Sequence, residues 1–457
     1  MDDAAVDAYR SSRLRGILFV LALAALCLLA VGISIGTGPY GPGVAGSYSA
    51  LWDHLTGSVA DEARLLDYIV WEKRLPRALA AVVAGAGLAA CGCAMQSLLR
   101  NPLADAYTTG ISAGAGFGAT LAFTAGLSMA SGPYAVILNT FVFALIPMAV
   151  VIAVSGLRGG SSSTMIMVGI SMTYLFNAAA AVYKIAADPN ALAALYSWQL
   201  GSVSGIGWQE LPFAATAVAI GCTVLWAYSR RMDAVSSGDE FARSIGVDPA
   251  LLRGTLLAVV ALVTAVIVSL TGLIGFVGLV GPHICRLIIG SDGRVLLPAS
   301  MAFGALLLTA ADVAGRCINP PAEIQVGILT AFMGAPLFLY LAAGRRRIRW
   351  HQSNAADSAS SMGKDGPSFP DLTSPSKGMR GLSACWAPTG WGRRHWPDAS
   401  AGSSIRLRGR CSSTERTPPP CPVGGLRRRS RSSPPPERRP TPPFATRFSW
   451  AAPEGSA

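Results

Sequence analysis

The sequence predicts an all-α protein that crosses a membrane about ten times, with nine and eleven as the neighbouring readings. Three observations carry this. Of the 457 residues, 51% are hydrophobic and only 14% are charged, which is too apolar for a large water-soluble core. Apolar runs separated by Gly, Pro or charge recur along the first 345 positions, the pattern of successive spans. The run from Ala78 to Leu99 holds 22 residues without a formal charge. At about 1.5 Å of rise per residue, such a helix crosses a hydrocarbon layer about 30 Å thick.

Taken in order, the first span, 16–36, follows Arg10, Arg13 and Arg15. Its apolar run is long and no small-x-small cleavage site follows, so it reads as a retained signal anchor. The second, 77–99, is packed with Gly and Ala, which lets helices approach closely. It ends in the polar turn Arg100-Asn-Pro-Leu-Ala104 and leads into 105–127, which carries Gly110-Ile-Ser-Ala-Gly-Ala115. Apolar runs at 133–155, 163–185, 207–228 and 254–274 follow. The eighth, 275–290, is short and contains Gly281-Pro282, which predicts a kinked helix facing protein rather than lipid. Spans at 297–315 and 323–343 complete the core.

The net charge of +12 is misleading, because residues 351–457 hold 16 Lys/Arg against 7 Asp/Glu and so carry +9 of it. A nucleic-acid partner is therefore not implied. Placed with the N-terminus inside, the inner segments carry fifteen Lys/Arg and the outer ones six: Arg64, Lys73, Arg74, Arg77, Lys184 and Arg316. That bias puts both ends of the core in the cytoplasm. From residue 346 the chain turns to Pro, Arg, Ser and Gly, as in Arg427-Arg-Arg-Ser-Arg-Ser-Ser-Pro-Pro-Pro436, a composition that predicts disorder. No function is assigned to that tail. Three regions result: a cytoplasmic N-terminus 1–15, a membrane domain 16–345 and the tail 346–457. Six of the nine cysteines lie in or beside apolar runs and no CxxC occurs. They read as small buried side chains, and no metal site is supported.

Several motifs in one order then identify a resemblance: Arg74-Leu-Pro-Arg77, Gln96 with Asn101-Pro-Leu-Ala104, Gly110-Ile-Ser-Ala-Gly-Ala115, Gly275-Phe-Val-Gly-Leu-Val-Gly-Pro-His283, Asp312-Val-Ala-Gly-Arg316, and Glu323-Ile-Gln-Val-Gly327 with Gly334-Ala-Pro336. Over residues 15–345 the chain resembles the FecCD permeases, membrane subunits of ABC importers for iron-siderophores, haem and cobalamin. The resemblance implies the fold of a cobalamin-importer permease. It also implies a homodimer or a heterodimer with a second permease, two ATP-binding subunits and a periplasmic or lipid-anchored substrate-binding protein. Gly281, Asp105-Ala106-Tyr107 and Gly293 depart from the family pattern in ways that touch only local geometry.

The chain has four lysines and no GxxxxGK[ST] phosphate cradle, so the expectation is that a partner hydrolyses ATP with Mg and that no cofactor binds here. Loop 230–253 can form two short helices, 236–244 and 248–253, hinged at Gly246. The resemblance implies that Asp239, Glu240, Arg243, Gly246 and Val247 couple to the ATPase. It likewise implies that Arg74, Arg77 and Arg316 dock paired glutamates of the binding protein, through charge-assisted hydrogen bonds. Arg316 has a second reading, as the partner of Asp312 one helical turn earlier. Asn101 and Leu103 match the family's cytoplasmic constriction, with Ser162 and Ser163 completing it, while Asn101 also suits a helix cap. His283 reads as a packing or hydrogen-bonding residue.

The expected function is inward transport of a ferric siderophore or related iron chelate, driven by ATP hydrolysed in a partner, in the bacterial cytoplasmic membrane. The alternatives are haem or cobalamin as cargo, or an ion-gradient-driven secondary transporter. The last needs ionisable groups near the bilayer centre, whereas Asp312, Glu323, His283 and Arg286 fall near predicted span ends or breaks. A membrane-anchored enzyme would need a nucleophile–base pair or metal cluster, and none is recognisable.

Overall fold

Apolar helices follow one another along the chain, with short helices between some of them. A computed structural model describes residues 3–38, 43–132, 134–157, 160–318 and 322–343. The predicted tail 346–457 lies outside the described residues, as do Arg158 and Arg345, Arg346, Arg347 and Arg349 of the inner-charge set. All regular structure among the described residues is helical. The helices are α1 (Asp3–Gly36), α2 (Gly43–Thr56), α3 (Arg64–Tyr68), α4 (Leu75–Leu99), α5 (Ile111–Thr124), α6 (Tyr134–Leu157), α7 (Ser162–Ile185) and α8 (Pro189–Gln199). They continue as α9 (Leu211–Ala227), α10 (Ser229–Ser237), α11 (Asp239–Ser244), α12 (Pro249–Thr271), α13 (Val277–Ile289), α14 (Gly293–Cys317) and α15 (Val326–Ala343).

Six stretches are long and apolar enough to cross a membrane: Arg13–Gly36, Asp61–Leu99, α6, α7, α12 and α14. A seventh is the pair α9 and α10, bent by 54°, and three shorter apolar helices are α5, α13 and Val326–Pro336 of α15. These correspond one to one with the ten predicted runs. The third is shorter than predicted because Asp105 caps a 3-10 turn, Ala106–Thr109, and Gly110 at φ +92° separates that turn from α5. The eighth is continuous through Pro282 and is not split. Helices α2, α3 and α8 lie between the predicted runs.

Helix α4 is the axis of the bundle. It packs against α14, α13, α9 and α12, and its side chains from Leu88 to Leu99 are all buried. Small residues make this possible. A Cβ on Gly85 would lie 2.3 Å from the carbonyl oxygen of Gly304, and one on Gly92 would lie 1.8 Å from that of Gly278. Backbones thus touch where the helices cross, the close packing that small residues permit between membrane helices. Helix α1, by contrast, leaves Leu18, Leu21, Leu28 and Leu29 more than half exposed, as a lipid-facing helix does.

Candidate functional site

The two ends of the bundle are held by different arginine clusters. At one end, α1 and α14 finish and α4 begins. A helix ends with carbonyl groups that lack partners, and two arginines supply them for α1. Arg316 donates to the carbonyls of Ser34 (3.0 Å) and Thr37 (2.9 Å) and to the Ser34 hydroxyl (2.6 Å). Arg74 donates to the Ile35 carbonyl (3.1 Å) and the Ser47 hydroxyl (3.0 Å). Asp312, wholly buried, is shared between two cations: Arg77 Nη2 lies 2.9 Å from Oδ1 and Arg316 Nη2 lies 3.0 Å from Oδ2. Arg77 also grips Glu323 through both carboxylate oxygens, at 3.1 and 2.8 Å.

Arg74, Arg77 and Arg316 are therefore brought together at one end, and the partners named for them are internal. The second reading of Arg316, paired with Asp312, describes its geometry. Glu323, 39% exposed, is where the network reaches the surface.

The other end gathers the close of α4, the turn before α7, the short helix α11 and the start of α12. One side chain joins all four. Arg253, on the second turn of α12 and 1% exposed, donates Nε–H to the Leu98 carbonyl (2.8 Å) and Nη1–H to the Gly160 carbonyl (3.2 Å). Its two terminal nitrogens hold the Asp239 carboxylate at 2.9 and 2.6 Å, and Arg100 approaches the same carboxylate at 3.4 Å. The Arg253 hydrogen bonds hold the Asp239 carboxyl below its ordinary range.

The predicted coupling loop is folded differently from expectation. Its short helices are α10 and α11, broken at Gly238, and the predicted segment 248–253 is the cap and the start of α12. The reason is local: the Asp248 carboxylate accepts from the amides of Ala250 and Leu251, with Pro249 at the first helical position, a strong helix start running directly into the apolar span. Gly246, at φ +82°, closes α11. The Val247 amide donates to the Ala242 carbonyl and the Gly246 amide to that of Arg243, the paired pattern of a Schellman cap. Of the five predicted coupling residues, Glu240, Arg243 and Gly246 are exposed, Asp239 turns inward to Arg253, and Val247 packs on the core. Sequence reasoning missed Phe241 and Ile245, 52% and 55% exposed on the same short element. It also missed the role of Arg253, whose signal was an arginine directly before the apolar run 254–274.

Three cavities open along the bundle. One of about 470 Å³ adjoins Arg77 and Glu323 and is lined by Trp198 of α8. The next, about 350 Å³, lies between α5 and α7 and is lined by Ser112, Thr173, Asn177, Lys184 and Gln199. The last, about 390 Å³, shares Thr173 with it and reaches Tyr107, Leu103 and Asn101. Asn101 and Leu103 line the inner cavity. The Asn101 side chain is simultaneously a turn cap, accepting from the Leu103 amide at 3.0 Å. Ser162 and Ser163 open α7 without lining this cavity. Among the described residues no group of three potential ligands could hold a metal ion.

Comparison with known proteins places this arrangement. The profile of the FecCD transport family matches residues 16–344. The chain is 34% identical to the iron(3+)-citrate import permease of Bacillus subtilis, over 72% of this chain and 95% of that protein. It is 33% identical to the hemin transport permease of Yersinia pestis, over 72% and 97%. A solved structure described as an inward-facing, metal-chelate type ABC transporter superposes with a TM-score of 0.62 at 30% identity, covering 71% of this chain and 98% of that one.

Proposed function

Because the chain belongs to the FecCD transport family and is the permease component of a metal-chelate type ABC importer, we propose that its cargo is a ferric siderophore or related iron chelate, moved inward across the bacterial cytoplasmic membrane. The observation that carries this reading is the succession of cavities from the Arg77–Glu323 end to the Asn101–Leu103 turn. The middle cavity is lined by one cation, Lys184, by two amides, Asn177 and Gln199, and by no carboxylate. That lining suits an anionic chelate. Haem is the second reading, favoured by the likeness to a hemin permease, and cobalamin remains the third. An ion-gradient mechanism is disfavoured because Asp312 is committed to two arginines and Arg286 donates to Gln96 at 2.8 Å.

A second permease subunit, most simply another copy, closes the open side of the cavities. Two partner subunits hydrolyse ATP with Mg and dock on the exposed face of α11, with Phe241 and Ile245 as its apolar contacts and Glu240 and Arg243 as its rim. The binding protein meets the Arg74–Arg77–Arg316 end, and both ends of the core lie in the cytoplasm. The test is purification from native membranes in mild detergent. A Walker-motif ATPase should remain bound and be lost with Phe241→Asp. A chain that purifies alone and supports ion-gradient-dependent uptake would overturn the reading.

A further inference from the structure

The inner cavity has two walls, the 100–104 turn and the first half of α7. Each wall is continuous with a backbone carbonyl held by the same side chain. Leu98, whose carbonyl accepts from Arg253 Nε–H, is the last residue but one of α4 and precedes the turn by two positions. Gly160, whose carbonyl accepts from Nη1–H, precedes Ser161, which caps α7 by accepting from the Thr164 amide at 3.2 Å. The remaining bonds of the guanidinium go to Asp239 on α11. Resting on the reading of α11 as the ATPase contact, we infer that Arg253 is the positioning residue that makes α11 and both walls of the inner cavity move as one body, so that a displacement of α11 opens or closes the cavity at Leu103.

The physical basis is the fork. A guanidinium presents five donors in a fixed plane, so groups bonded to different edges of it keep fixed relative directions. A lysine at the same place carries the charge on a single flexible point and cannot hold two carbonyls and a carboxylate in one plane. Burial strengthens the linkage: with Arg253 1% exposed, water is not at hand to replace a partner that moves away, so moving any one element strains the others. Charge alone is not sufficient for this role, and the distinction is testable.

The experiment uses the full chain in inside-out vesicles from its own host, with the partner subunits present. Cys317, the exposed cysteine among the described residues, and Cys385, Cys411 and Cys421 of the tail are replaced by Ser, and Leu103→Cys is labelled with a membrane-impermeant maleimide, with and without ATP and orthovanadate. The parent should show a labelling rate that changes at least fivefold on trapping. Arg253→Lys should bring that ratio to near one while retaining the bound ATPase and the nucleotide-free labelling rate. Arg253→Gln, which keeps two donors and drops the charge, should do the same and serves where the lysine variant does not accumulate. A parent that does not respond to trapping sinks the constriction reading itself. A parent that responds, with variants that respond equally, overturns the role of Arg253 alone. Loss of the ATPase from both variants, or failure of both to accumulate, makes Arg253 an assembly or folding residue and overturns it also.

Discussion

Single residues at the two ends of the bundle set how each end answers to perturbation. Asp312 neutralises Arg77 and Arg316 while wholly buried. Asp312→Ala leaves two guanidinium groups without their shared anion, and breaking such a buried pair costs about 3–5 kcal/mol. The expected outcome is a large fall in the thermal stability of the detergent-solubilised protein, much larger than for Glu323→Gln at the exposed edge of the same network. Gly246 behaves differently. A Cβ there meets nothing within 4 Å, so Gly246→Ala is penalised only for its positive φ, about 1–2 kcal/mol. Fraying of α11, read by hydrogen exchange at Val247, checks this. Asp239 supplies a pH dependence. Its carboxyl is held down by Arg253, so the anchoring it contributes is present above the unfolded value of about 3.9 and is lost as pH falls through the lower folded value. Exchange protection of α11 should be flat from about pH 5 to 8 and fall below about pH 4, a sensitivity that Asp239→Asn removes.

At the scale of elements, the crossing of α4 with α13 and α14 depends on absent side chains. Since the atoms facing Gly92 are the Gly278 backbone itself, no rotamer change can make room for a methyl group. Gly92→Ala is expected to lower accumulation in the membrane sharply, whereas Gly156→Ala, with no atom within 4 Å of its Cβ, should leave it unchanged. Small residues in the 77–99 run made a tightly packed helix legible in the sequence; its partners were not. The short elements were the least legible. Two helices were expected across 236–253, yet the second belongs to α12, because the Asp248–Pro249 start feeds directly into the apolar span with no residue to end it.

For the whole molecule, the proposed route along the cavities has one lining cation in its middle section, Lys184, whose ammonium lies over the Tyr196 ring, 5.6 Å from its centre. Lys184→Glu should reduce uptake of an anionic ferric chelate by at least tenfold while leaving ATPase binding intact, as measured by iron-55 accumulation in whole cells. Equal uptake by the two proteins would remove Lys184 from the route and with it the argument for an anionic cargo.

Composition and spacing by themselves determined the membrane class and the ten apolar runs, because a bilayer imposes run length and backbone satisfaction on each helix separately, within one stretch of chain; the family resemblance came from the motifs in their order. Which helix lies at the centre, that Arg74, Arg77 and Arg316 spend their donors on the end of α1 and on Asp312, and that Arg253 gathers four elements are matters only the tertiary structure decided. Each involves groups dozens to hundreds of positions apart, such as Arg77 with Asp312 and Arg253 with Leu98. A buried guanidinium takes whichever acceptors the packed helices place around it, and no local pattern in the chain encodes which those are.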